Sequence, residues 1–152
     1  MRIWRLMRSR FAQDPYGGAG AALGGGRWNS RGLYVAYAAW SRSLAMLELL
    51  VHVTRDQAPD DLVFVGAEIA DDAIEDLDVA SLPQGWRRTP PPVELRAVGD
   101  AWIRQTRALA LRVPSAIIPQ EHNVLINPEH PQFRKMTIDV LEAAFVDPRL
   151  IR

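Results

Sequence analysis

The chain has no cysteine. Disulfides, thiolate-bound zinc, iron–sulfur clusters and thiol catalysis are therefore excluded. It is also almost without lysine: Lys135 is the only one among eighteen basic residues, the rest being arginine. Genome base composition accounts for such a bias, while arginine forks also suit phosphate and carboxylate partners. Net charge is absent, since eighteen acidic residues balance the eighteen basic ones. A neutral chain is a poor general binder of nucleic acid or anionic membrane, whose affinity rests on charge neutralisation. A local basic pocket stays open to it. No apolar run reaches the roughly 18 residues that span a bilayer. The opening MRIWRLMRSRF has arginines but no apolar h-region or cleavage pattern, so no signal peptide is read there. A soluble, cytoplasmic protein is expected.

What is present fits one ordinary globule. Hydrophobic residues make up 48% of 152, enough for a core, and the length suits a single domain over 1–152. Residues 2–6 (RIWRL) read as a strand. Residues 14–27 hold six of the ten glycines and read as loop, at least in part. Residues 32–37 and 62–69 read as strands, residues 41–54 as a helix capped by Ser41 or Ser43. The acidic stretch 71–78 reads as a solvated turn or short helix. Residues 81–92 carry four of the eleven prolines and cannot be regular. A helix over 93–109 and strands near 110–118, 124–127 and 136–146 follow. Strands outnumber helices without strict βαβ alternation, which predicts an α+β (mixed α/β) domain.

Three regions could carry chemistry. Glu48 falls in a helical run that is apolar almost all round, with Leu44, Ala45, Val51 and His52 on its own face. A buried carboxylate must be paired, protonated or set at a polar cavity. A structural ion pair with an arginine and a functional site are both open at this point. The second region is GGGRWNSRGLYVAY (24–37). Its glycines allow close backbone approach and Arg27 could clamp a phosphate, but the loop leads into a strand and lacks both the Rossmann and the P-loop spacing. A mobile loop is the plainer reading of the glycines alone. Tyr34 and Tyr37, three apart on the expected strand, should point to opposite faces. The third region is PSAIIPQEHNVLINPEH (114–130), a polar, proline-broken stretch fit to wall a ligand. His122 and His130 with Glu121 or Glu129 match no zinc signature, so no metal is expected. No nucleophile elbow accompanies Ser115. Asn127 before Pro128 reads as a turn residue, and Trp28 as packing.

Taken together these segments resemble the RES domain family. The arginine, glutamate and serine for which that family is named are matched by Arg27, Glu48 and Ser115. Arg5 in the first strand, Tyr37 eleven residues before Glu48, the N-x-L-I-N-P-x-H run from Asn123 to His130 and the closing DPRL (147–150) also match. The resemblance covers essentially the whole chain. It implies a fold like the diphtheria-toxin type of ADP-ribosyltransferase. It also implies a toxin of a type II toxin–antitoxin pair, partnered by a Xre-like antitoxin. The implied activity is NAD+ degradation by hydrolysis or phosphorolysis, with ADP-ribose transfer to a protein as the alternative. NAD+ would be substrate and no separate cofactor is implied. By matching position, Arg27, Tyr37 and Glu48 would be catalytic, and Arg5, Arg27, Tyr37, Ser115 and Asn123 would bind NAD+. Arg27 could instead pair with Glu48, and Tyr37 could be ordinary core. No direct contact with nucleic acid or membrane is implied. The antitoxin is expected near the loops 17–26 and 83–92, and the oligomeric state, homo-oligomer or hetero-oligomer, stays open.

Overall fold

A computed structural model describes residues 1–54 and 59–151. Its strands are β1 (Arg2–Arg8), β2 (Ala36–Ala39), β3 (Leu62–Glu68), β4 (Ile74–Asp76), β5 (Ala110–Pro114), β6 (His122–Ile126) and β7 (Thr137–Ala143). The helices are α1 (Ala19–Gly24), α2 (Arg42–Leu50) and α3 (Val93–Gln105). The strands form one sheet in the order β4-β5-β6-β2-β1-β3-β7, antiparallel throughout except for β4 beside β5. The mixed α+β class expected from the sequence is the one observed.

Alternation along the strands sorts two faces. Ile3, Ala36, Ala38, Val65, Ala67, Val124 and Ile126 pack on one face with Tyr16, whose hydroxyl donates to the Val65 carbonyl at 3.1 Å. On the other face Leu111, Val113, Leu125 and Tyr37 pack with Leu95, Trp102 and Ile103 of α3. Trp4, Leu6 and Ala39 on that face meet Leu44 and Ala45 of α2. The two halves of the sheet are joined thinly. β1 pairs with β3 over seven residues but with β2 only at Trp4 and Ala39. A cavity of about 230 Å³ opens at this junction.

Several boundaries differ from the sequence reading, each for a local reason. The glycine-rich segment contains α1, which begins after Gly18 at φ +76° and stops at Gly25 at φ +71°. Both glycines adopt the left-handed backbone that other residues avoid. The strand expected at 32–37 starts at Ala36, so Tyr34 is an exposed loop residue and shares no strand with Tyr37. α2 is capped by Ser41, whose hydroxyl accepts from the Leu44 amide at 3.1 Å, and it ends at Leu50 before Val51, Val53 and Thr54. Those β-branched residues continue a helix poorly. Nor is α2 buried all round: Leu44 and Ala45 are buried, Met46 to Leu50 partly so, Arg42 and Ser43 are exposed, and Val51 after it is 57% exposed. The acidic stretch forms a 3₁₀ turn (Asp71–Ala73) and then the edge strand β4. α3 closes at Thr106 in the left-handed region, short of Leu109.

α3 lies close against the 24–30 loop. A Cβ at Gly99 would sit 1.7 Å from the Trp28 carbonyl oxygen, a contact only glycine permits. Next to it the buried Asp100 accepts from the Ser30 amide at 2.8 Å and the Ser30 hydroxyl at 2.6 Å. Gly99→Ala is therefore expected to force α3 off the loop and cost at least about 2 kcal/mol. Thermal denaturation should show a Tm lower by about 4–8 °C for a chain of this size.

Candidate active site

The cavity is bounded by β1 (Trp4, Arg5, Leu6), β2 (Tyr37, Ala38, Ala39), α2 and the turn after it (Ala45, Glu48, Leu49, His52), and Asn123 of β6. It brings together four of the residues singled out in the sequence, Arg5, Tyr37, Glu48 and Asn123. Ser115 and Arg27 lie outside its lining: Ser115 reaches it through its bond to Glu48, and Arg27 stands within electrostatic reach of Glu48.

Glu48 is held by neutral donors. Its Oε1 accepts from the Ser115 hydroxyl at 2.8 Å and from Asn123 Nδ2 at 2.5 Å. Ser115 is fully buried, and its Oγ accepts from the Ile117 and Ile118 amides, both at 3.1 Å. With both lone pairs occupied, the hydroxyl proton can only point to Glu48. A carboxylate accepts and does not donate, so it also sets the Asn123 amide, with Nδ2 toward Glu48. Asn123 Oδ1 is left buried without a protein partner. Among the described residues no side chain or amide donates to Glu48 Oε2, and Glu48 forms no ion pair with an arginine.

The two arginines are each anchored through one nitrogen to backbone carbonyls. Arg5 Nη1 donates to the Pro15 carbonyl at 2.6 Å. Arg27 Nη1 donates to the Trp86 carbonyl at 2.7 Å and the Arg88 carbonyl at 3.3 Å. Neither meets a carboxylate within ion-pair distance among the described residues, so the ion pair Arg27–Glu48 is not formed. Burial lowers the pKa of both guanidiniums, but neither gives up its proton at physiological pH. At Arg27 the charge of Glu48 acts against burial, which places the two groups within electrostatic reach of one another. Both sites keep N–H groups for an anion.

Tyr37 presents its ring to the cavity while its hydroxyl is tied behind it. The hydroxyl donates to Asn29 Oδ1 at 2.7 Å and accepts from the Trp28 amide at 3.0 Å. Asn29, fully buried, spends its Nδ2 on the Ala21, Ser30 and Leu33 carbonyls. A Cβ at Gly26 would stand 2.5 Å from the Tyr37 hydroxyl oxygen, so the glycine makes room for this bond. Asn29 was not singled out from the sequence, where it is one polar residue in a glycine-rich loop. His52 and Trp4 are also new to the site. The signal for His52 was its place on the helical face of Glu48. Trp4 stands beside Arg5, and the Arg42 guanidinium lies 3.7 Å from its ring centroid. His122 stacks edge-on against Trp40, and His130 Nδ1 accepts from the Gln132 amide. Asn127 bridges the Ile103 carbonyl and the Glu129 amide, a structural role, and Trp28 is buried packing.

Burial pushes the Tyr37 pKa up to about 12, from an ordinary value of 10.0, and raises that of Tyr16 as well. The folded chain thus keeps two phenolic protons that the unfolded chain gives up near pH 10. The stability from both groups is complete below that pH; the share from Tyr37 is lost as the pH rises from about 10 to about 12, and that from Tyr16, whose pKa is raised further, is lost later. Tm should fall steeply over that window, and Tyr37→Phe with Tyr16→Phe should flatten the fall.

The sequence model of the RES domain matches residues 2–147. Toxin Res of Photorhabdus laumondii is 37% identical over 153 residues, spanning 100% of this chain and 98% of the relative. The Prs ADP-ribosylating toxin of Sphingobium sp. is 37% identical over 155 residues, spanning 99% and 96%. Among solved structures, a chain of the M. tuberculosis MbcT–MbcA toxin–antitoxin complex superposes with a TM-score of 0.76 and 18% identity, over 98% of this chain and 85% of that one. At that identity the likeness is one of fold. With a family match over nearly the full length and relatives this similar, the chain belongs to the RES domain family.

Proposed function

We propose that this protein is the toxin of a toxin–antitoxin pair and that it breaks the nicotinamide–ribose bond of NAD+. The observation that carries the reading is the Glu48 carboxylate at the cavity, fixed through Oε1 by Ser115 and Asn123 with Oε2 unclaimed. Departure of nicotinamide neutralises its cationic ring and leaves positive, oxocarbenium-like charge on the ribose. A pre-set carboxylate stabilises that charge without having to reorganise. Glu48 and Tyr37 are accordingly the groups we assign to the reacting end, Tyr37 through its ring face. Arg5 and Arg27, anchored and without carboxylate partners, suit the diphosphate, and Asn123 joins in binding. Ser115 is a positioning residue: it acts through Glu48. The names of the relatives support a toxin, and the complex in which the structural neighbour was solved supports an antitoxin partner, which we assign to the Xre-like class. The name of the Sphingobium relative favours a second reading, transfer of ADP-ribose to a protein.

Incubating the purified chain with NAD+ tests the reading. Loss of NAD+ with free nicotinamide and ADP-ribose, or its phosphate when phosphate is supplied, is the expected result. Label appearing in a protein of added lysate, with no loss of NAD+ in its absence, would move the assignment to the transferase. Ser115→Ala frees the proton-bearing support of Glu48 and leaves two amides unmet. It should lower kcat by about 10–100-fold with KM changed much less, and cost about 1–3 kcal/mol of stability. A purely structural Ser115 would show the stability loss with kcat intact in the folded fraction.

A further inference from the structure

We propose that His52 is the general base of this site: given NAD+ cleavage at Glu48, the reading on which this assignment rests, its imidazole takes the proton from the water that captures the ribose. His52 lies four residues after Glu48, in the turn that continues α2, where its amide donates to the Leu49 carbonyl at 3.0 Å. Residues so spaced share a face of the helix, and both line the cavity. His52 is exposed, and among the described residues its imidazole makes no hydrogen bond or ion pair.

The chemistry needs one proton acceptor and no proton donor. When the C1′–N bond breaks, its electron pair goes to the ring nitrogen of nicotinamide, which becomes neutral without taking a proton. When a water lone pair then forms the C1′–O bond, one O–H proton must leave. A positioned base at such a step contributes about 10²–10⁴-fold.

The other groups at the cavity are committed. Arg5 of β1 keeps its proton throughout the physiological range. Burial pushes the Tyr37 phenol of β2 up to about 12, and its oxygen is already engaged by Asn29 and the Trp28 amide. Glu48, on the helix that carries His52, accepts from Ser115 and Asn123 through Oε1 and leaves Oε2 for the ribose charge. A proton taken by Glu48 would abolish the charge that stabilises the cation. Asn123 of β6 does not titrate. Among the described residues His52 is thus the remaining cavity group of a type that exchanges a proton near neutral pH. Being exposed, it passes that proton to solvent and is restored for the next turnover. Phosphate dianion attacks without losing a proton, so it does not need this base, whereas Glu48 serves either acceptor.

NAD+ turnover by the native protein and by His52→Gln, confirmed as folded by circular dichroism, tests the assignment. In phosphate-free buffer the native rate should rise with pH across the range in which imidazoles titrate and then level off. In His52→Gln it should be at least about tenfold lower and lose that rise. With phosphate supplied in slightly alkaline buffer, the ratio of ADP-ribose to its phosphate should fall at least about tenfold in the variant. His52→Asn serves if the first variant fails to fold, and added imidazole should restore hydrolysis in either. An unchanged pH profile and product ratio in the folded variant would overturn the role of His52 and leave the NAD+ reading standing. Equal loss of both products would also overturn it, by making His52 a structural or binding residue. Native protein that consumes no NAD+ at any pH would sink the NAD+ reading and this assignment with it.

Discussion

The hydrogen bond from the Ser115 hydroxyl to Glu48 ties the parts of this molecule together. It joins α2 to the loop after β5 across the end of the sheet, and Asn123 on β6 adds a second bond to the same oxygen. The carboxylate is thereby fixed by donors that carry no charge. A neighbouring arginine could fix it as well, but would also neutralise it, leaving less to offer a developing cation. The structure separates the two jobs. Neutral groups orient the anion, and the cations stand apart, tethered to backbone carbonyls.

That separation depends on how the glycine-rich loop is seated. Arg27 reaches the carbonyls of Trp86 and Arg88, Arg96 reaches the carbonyl of Gly26 at 3.1 Å, and Asp100 grips Ser30. The absence of a side chain at Gly99 lets the loop backbone pack directly on α3, and the absence of one at Gly26 admits the Tyr37–Asn29 bond. The glycines in and against this loop thus serve close approach more than mobility. The loop is tied at several points, and it anchors Arg27 and backs the Tyr37 hydroxyl through Asn29 and the Trp28 amide.

Much of this was legible in the chain alone, and the limits have physical causes. The Val63–Phe64–Val65 run marked β3, the shorter Ile3–Trp4 pair marked β1, and the proline-rich stretch marked the gap before α3. Glu48 stood out because a carboxylate on an apolar helical face is a local conflict that some partner must resolve. The sequence could not name the partner, since Ser115 and Asn123 are 67 and 75 residues away and meet Glu48 only through the sheet order. For the same reason the candidate pair Arg27–Glu48 looked as reasonable as the network that forms. β2 was displaced because LYVAY is strand-like from Leu33, whereas pairing with β6 begins only at Ala36. Asn29 was passed over because its importance comes from burial, which a polar residue among glycines does not announce. The roles of Arg5 and Tyr37 rested on resemblance, and the fold gives each a physical place beside the same cavity.

The central claim is that Glu48 acts on the reacting centre and is dispensable for holding the substrate. Glu48→Gln keeps the shape and one acceptor oxygen but removes the charge. NAD+ affinity by calorimetric titration should stay within about tenfold of the native value, while the rate of NAD+ loss falls at least about 100-fold. Retained turnover in the folded variant, or loss of binding in step with turnover, would contradict the account.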